Sequence, residues 1–284
     1  MIAADFLDEL DRFDAAVERR AHSARRGEEE SPAVGEGLTF SDYRRYTPGD
    51  DPGLVDWKLY GRTEELYIKQ FEEERQATVH VLVDASASMG YGEGTTKFEY
   101  GAKLGLGFAY LTAREGNEFR FSLFGEDLQR LDAGRSSRGE VLGLVDRCNE
   151  QTPDSEAAFA QTLSAYADRI HSTALVLVVS DFLTDPAAID AGVAALADHD
   201  VVLAHLVAPG ERDPPAGGDT IFQSLESATS LRTYFGQRQR RRYADRLQAH
   251  LDDVAAVGHR LGATHELVGT DDPFFESFGA IWFA

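Results

Sequence analysis

The chain reads as a layered α/β domain built on a mostly parallel sheet flanked by helices, with an N-terminal β-rich lobe and a C-terminal helical extension. Three observations predict this. Two short apolar runs, residues 79–83 and 175–179, are rich in valine and contain no carboxylate, lysine or arginine, as strands covered on both faces require. Strand-like and helix-like patterns alternate from Thr78 to Val207, the order that places helices on both sides of one sheet. Each apolar run also leads into an aspartate, Asp84 and Asp181, and the carboxyl ends of parallel strands open into the crevice where ligands bind.

Taken in order, residues 1–32 form a helix and a charged linker. Phe6, Leu10, Phe13 and Val17 recur at helical spacing, so the helix docks by one apolar face. Arginines and then Glu28–Glu30 and Ser31-Pro32 follow as a bridge. Residues 33–77 make the β-rich lobe, where Tyr43, Tyr46, Trp57, Tyr60, Tyr67 and Phe71 supply more aromatics than a linker needs.

Residues 78–208 carry the sheet. A helix from about Lys97 to Arg114 has Gly101 and Gly105 one turn apart, which allows close approach to the strands. A strand follows at Phe119–Phe124, then helices over residues 140–148 and 156–170. After the strand that ends at Asp181 come a helix at 187–197 and a buried strand at 201–207. Residues 209–284 form the extension. Pro209 to Gly218 is a turn-rich break, and 236–262 is a long polar helix with Tyr243, Leu247, Leu251, Val254 and Leu261 inward. Thr264–Val268 adds an edge strand, and the closing Phe274, Phe275, Phe278, Ile281, Trp282 and Phe283 pack on the body because water is a poor solvent for them.

Composition narrows the function. Asp plus Glu number 49 against 28 basic residues, a formal net charge of −21, which disfavours nucleic-acid binding because phosphates need a cationic surface. The same charge repels itself in dilute buffer and is screened in concentrated salt, so a halophilic source is expected. Cys148 is the only cysteine, which excludes an intrachain disulfide and fits a reducing, cytoplasmic location. No signal peptide or membrane span is expected from the apolar stretches.

The chemistry gathers at Asp84-Ala85-Ser86-Ala87-Ser88 and at Asp181. An aspartate followed at alternate positions by two hydroxyls offers hard oxygen donors from one tight loop, which suits a small divalent cation such as Mg²⁺. Ser86 and Ser88 would bind through their hydroxyls, and Asp84 and Asp181 directly or through water. Helix capping and turn formation are the alternative for the same residues. The serines lack a Gly-x-Ser-x-Gly elbow, and Gly92 to Lys97 has the wrong spacing for a phosphate loop. The eight histidines show no zinc pattern. Arg238-Gln239-Arg240-Arg241-Arg242 reads as an exposed face, or else as a docking patch for an acidic partner. Arg44, Arg45 and Arg62 are expected to pair with Glu72–Glu74.

The stretch from Thr78 to Val207, with Asp84-Ala85-Ser86-Ala87-Ser88 and Ser180-Asp181, resembles a von Willebrand factor A domain with its metal-ion-dependent adhesion site. Upstream, residues 40–51, 55–58, 61–62 and 66–72 are similar to the signature of domain-of-unknown-function family 58. The resemblance implies a non-enzymatic adaptor that binds a protein partner through the metal, beside a MoxR-type AAA+ ATPase or its client. It departs from the family at Gly53, where an arginine is usual. It departs again in the loop that normally supplies a threonine, where the register places Glu156 or Ala157. Two other readings stand beside it: a metal-dependent hydrolase, and an adaptor with a non-functional metal loop that binds through the β-rich lobe.

Overall fold

The protein is described from a computed structural model that defines residues 1–3, 5–25, 38–47, 55, 59–60, 65–73, 78–214, 219–223 and 230–283. Residues Met1–Arg19 and Ala77–Ala284 make one compact unit, and Arg20–Gln76 a second.

In the second unit, β1 (Leu38–Arg45) pairs antiparallel with β2 (Tyr67–Glu73), with the register shifting between Phe40 and Asp42. The Arg45 guanidinium donates to Glu65 at 2.9 Å, while the side chains of Arg44, Arg62 and Glu72–Glu74 lie outside the described residues. Pro48–Asp51, Gly53, Trp57 and Arg62 lie outside the described residues.

The first unit is organised by a six-stranded sheet of β3 (Thr78–Asp84), β4 (Glu118–Phe124), β5 (Leu128–Arg130), β6 (Leu175–Ser180), β7 (Asp200–Val207) and β10 (Thr264–Gly269). Their order is β10-β7-β6-β3-β4-β5, and only β5 is antiparallel. The strand β5 has no apolar run and was not foreseen. A second hairpin joins β8 (Asp219–Gln223) to β9 (Ser230–Tyr234).

Both faces of the sheet are covered, as the uncharged runs require. Val79, Val81, Val83, Leu177 and Val179 join one core, while Leu82, Val176 and Val178 join the other, the period-two split of a pleated strand. The first core is closed by α2 (Lys97–Arg114), α3 (Arg138–Asn149), α8 (Phe274–Trp282) and the start of α1 (Phe6–Arg25). The second is closed by α4 (Phe159–Ala167), α5 (Pro186–Ala194) and α7 (Gln237–Leu261).

Helix α2 lies hard against the sheet. A Cβ added at Gly105 would stand 2.7 Å from Val81 Cγ1, and one at Gly101 2.9 Å from Val179 Cγ1. The opening helix docks on the closing one: Phe6 meets Phe274 at 5.3 Å and Phe13 meets Phe278 at 5.4 Å between ring centroids. These edge-to-face contacts add to the burial of Leu7 and Leu10. Phe278 and Ile281 are buried as expected, but Phe283 stays exposed.

Several features differ from the sequence reading, among them the helix expected at 187–197, which is Pro186–Ala194. Helix α4 starts at Phe159 rather than Glu156 and ends at Ala167, because residues 152–158 are drawn into loop contacts. The turn-rich break opens with a helical turn, α6 (Pro209–Arg212). In α7 the deepest residues are Val254 and Val257, with Tyr243, Leu247, Leu251 and Leu261 only half-buried, because only the later turns of the helix reach the sheet.

Candidate functional site

The two central strands deliver the candidate residues to one rim. Val83 of β3 sits beside Val179 of β6, so Asp84 and Ser180, the next residues of each, emerge together. Ser180 Oγ donates to Asp84 Oδ2 at 2.6 Å, and Ser86 N–H donates to Asp84 Oδ1 at 2.8 Å. The latter is the local bond that lets an aspartate turn its own backbone.

The loop after Asp84 is clamped from both sides. Ala85 N–H donates to the Phe124 carbonyl at 2.7 Å, and Ala87 N–H to the Ser155 carbonyl at 2.8 Å. Ser155 bridges Ser86 backbone to backbone, and its hydroxyl donates to the Ala85 carbonyl at 3.3 Å. The loop residue adjoining the site is therefore Ser155, not Glu156 or Ala157, and Thr152 is exposed. Backbone pairing, which has no signature in the sequence, sets that register.

Ser86 is buried and Ser88 half-buried, with their hydroxyl oxygens 3.2 Å apart. Ser86 makes no side-chain cap to the short 3-10 turn Ala87–Gly90, so helix capping does not account for it. Adjacent oxygens around an octahedral Mg²⁺ with bonds of about 2.0–2.1 Å lie about 3 Å apart, close to this separation. Asp84, only 2 % exposed, has hydrogen-bond donors but no basic side chain among its contacts with the described residues. Burial first, and Asp181 second, push its carboxyl up to about 7, against the opposing bonds from Ser180 and Ser86. The donor set thus fits a divalent cation: two neighbouring hydroxyls on the loop after a buried carboxylate that meets no basic side chain among the described residues. Among the described residues no three His, Cys, Asp or Glu side chains converge to hold a metal, so a cation here would rest on the hydroxyls.

Asp181 is differently placed. Its Oδ1 accepts from Leu183 N–H at 3.1 Å, and its Oδ2 from the Lys97 ammonium at 2.6 Å. Lys97, the first residue of α2, has no exposed surface, and it also donates to Glu211 Oε1 of α6 at 2.5 Å. Burial pulls the ammonium down, but Asp181 and Glu211 together overcome that and hold it above its ordinary value. The other oxygen of Glu211 accepts from Ala208 N–H at 2.8 Å. The sequence reading missed Lys97, Glu211, Ser180 and Ser155. One clue was available: Lys97 is one of four lysines in the chain and opens a helix whose stretch from Leu104 to Ala113 is uncharged.

Backbone strain lies beside the site. Phe182 has φ +50°, a conformation that a bulky residue adopts only when its surroundings impose it. Its N–H donates to Ser180 Oγ at 2.9 Å, and its carbonyl lies 2.9 Å from His250 Nε2 of α7. The buried His205 ring packs edge-on against Phe182 at 5.1 Å and bonds to His265 at 3.1 Å. Burial, with His265 adding to it, pushes His205 down to about 3. The arginine run at the start of α7 is exposed at Arg238, Arg241 and Arg242, while Arg240 pairs with Asp213.

With this geometry in view, comparison with known proteins places the chain. The model of the family described as "Protein of unknown function DUF58" matches residues 42–253. The chain is 24% identical over 241 residues to the uncharacterized protein Rv1480 of Mycobacterium tuberculosis, a match covering 84% of this chain and 76% of that protein. Mb1516 of Mycobacterium bovis matches equally. Among solved structures, an aerotolerance-related membrane protein from Bacteroides fragilis is similar at 13% identity and TM-score 0.47, over 73% of this chain and 97% of that one. BatB from Bacteroides thetaiotaomicron is similar at 11% identity and TM-score 0.45, over 73% and 100%. The SpRpn10 VWA domain is similar at 10% identity and TM-score 0.43, over 72% and 94%. This chain has a mixed, mostly parallel six-stranded sheet between helices.

Proposed function

The chain belongs to the DUF58 family, and from that premise we propose that it is a non-enzymatic adaptor that binds a partner protein through a divalent cation held at the carboxyl rim of its sheet. The observation that carries this reading is the pair of Ser86 and Ser88 hydroxyls 3.2 Å apart on the loop that follows a buried Asp84 with no basic contact among the described residues. A carboxylate so buried is stabilised by a nearby positive charge, and a divalent ion supplies it. Ser86 and Ser88 hold the ion directly. Asp84 and Asp181 contribute directly or through water, and an acidic side chain of the partner completes the coordination.

The partner in this reading is a MoxR-type AAA+ ATPase or one of its clients, and the role is assembly or maturation of other proteins. No helix among the described residues is long and apolar enough to cross a membrane, which fits an adaptor that meets its partner in solution.

The test is capture of a purified MoxR-type AAA+ ATPase on the immobilised protein, in Mg²⁺ and in chelator, for wild type and Asp84→Ala. Capture that requires both Mg²⁺ and Asp84 is the expected result. Equal recovery in all four conditions removes the metal from the mechanism and leaves binding through another surface.

A further inference from the structure

A lysine with no exposed surface is an unusual neighbour for a cation site. Lys97 reaches Asp181 Oδ2 at 2.6 Å and Glu211 Oε1 at 2.5 Å, and its ammonium stands 5.8 Å from the Tyr91 ring centre. Buried ion pairs give little net stability over apolar groups of similar volume, and a methionine would fill the same space between α2 and α6. The effect of the ammonium on its surroundings is more definite: it supplies to Asp181 the positive charge that a metal would otherwise supply. Asp84, by contrast, accepts from the Ser86 backbone N–H and the Ser180 hydroxyl and contacts no basic side chain among the described residues.

We infer that Lys97 is an internal competitor for the divalent cation, occupying Asp181 and holding the affinity of the Ser86, Ser88 and Asp84 site low. This rests on the metal-binding reading above and adds to it which residue sets the affinity. Two effects act in the same direction. The ammonium engages an oxygen that the ion or one of its waters would use. It also places a like charge beside the incoming dication, and such repulsion is large where water is excluded. Asp181 is therefore a weak contributor in the wild-type chain, and the ion rests mainly on the Asp84 loop. A role confined to structure makes the opposite forecast, because loosening Asp181 and α6 would leave cation affinity unchanged or lower it.

The experiment is a calorimetric titration of chelator-treated protein with MgCl₂ and MnCl₂. It compares wild type, Lys97→Met, Lys97→Met with Glu211→Gln, and each Lys97 variant combined with Asp84→Asn. The Lys97→Met/Glu211→Gln variant removes one charge of each sign, so it keeps the local net charge and guards against a single variant that fails to fold. The expected result is binding at least about tenfold tighter in both Lys97 variants than in wild type, lost when Asp84→Asn is added. Equal or weaker binding in the Lys97 variants, with wild-type binding intact, overturns the inference and leaves the adaptor reading standing. Absence of binding in every variant, or binding indifferent to Asp84→Asn, overturns the metal site itself.

Discussion

Replacing Lys97 by methionine tests the energetics of the rim, because methionine keeps most of the buried stem and removes only the charge. In the folded chain the ammonium contacts Asp181 and Glu211 at 2.6 and 2.5 Å, with Lys97 fully buried, Asp181 3 % exposed and Glu211 15 % exposed. At an effective dielectric of about 20, each contact has a Coulomb energy of about 6 kcal/mol. Desolvation of several kcal/mol per ion offsets much of that. What remains after the substitution is two carboxylates in a site with no cation, and breaking a buried pair in this way costs about 3–5 kcal/mol. Urea unfolding at pH 8, in chelator, should therefore show that loss with an unchanged dependence on denaturant concentration. Adding Glu211→Gln should recover part of the loss by removing one of the stranded charges. A loss under about 1 kcal/mol for Lys97→Met alone would refute the argument, since it would mean that Asp181 and Glu211 are solvated without the lysine.

Two further predictions concern the whole fold. His80 is buried on β3 and bonded to Tyr166 at 2.8 Å, and burial, with Arg120 adding to it, pushes its imidazole down to about 4. A histidine lowered in the folded state leaves stability full above about pH 6.5 and loses it as pH falls toward 4. Unfolding free energies at pH 7.5 and 4.5 should therefore fall by about 2–3 kcal/mol more in wild type than in His80→Gln, and equal falls in the two proteins would disprove the assignment. The net charge of −21 predicts a melting temperature that rises between dilute buffer and molar salt, where the screening length shrinks to about 3 Å. A flat or falling melting temperature across that range would remove the case for a salt-adapted surface.

Much of the fold was legible because it depends on local pattern. The runs at 79–83 and 175–179 could only be strands buried on two faces, and both are central in the sheet. Gly101 and Gly105 announced a helix lying close on those strands, and the tight approaches to Val179 and Val81 follow from that. The strand β5 went unseen because three residues with two exposed side chains carry no periodic signal. The start of α4 differs because propensity says nothing of the loop contacts that hold residues 152–158 out of the helix.

The candidate site divides in the same way. By itself the sequence determined that Asp84, Ser86 and Ser88 leave one buried strand on one loop and that Asp181 leaves another, because alternation along a strand and the direction of parallel pairing are local properties. Only the tertiary structure decided that Ser180 binds Asp84, that Ser155 adjoins the loop, and that Asp181 and Glu211 converge on Lys97. The side-chain hydrogen bonds that join them span 70 to 114 positions along the chain. Their meeting is set by strand order and by the packing of α2 and α6 on the sheet, which no spacing of residues encodes.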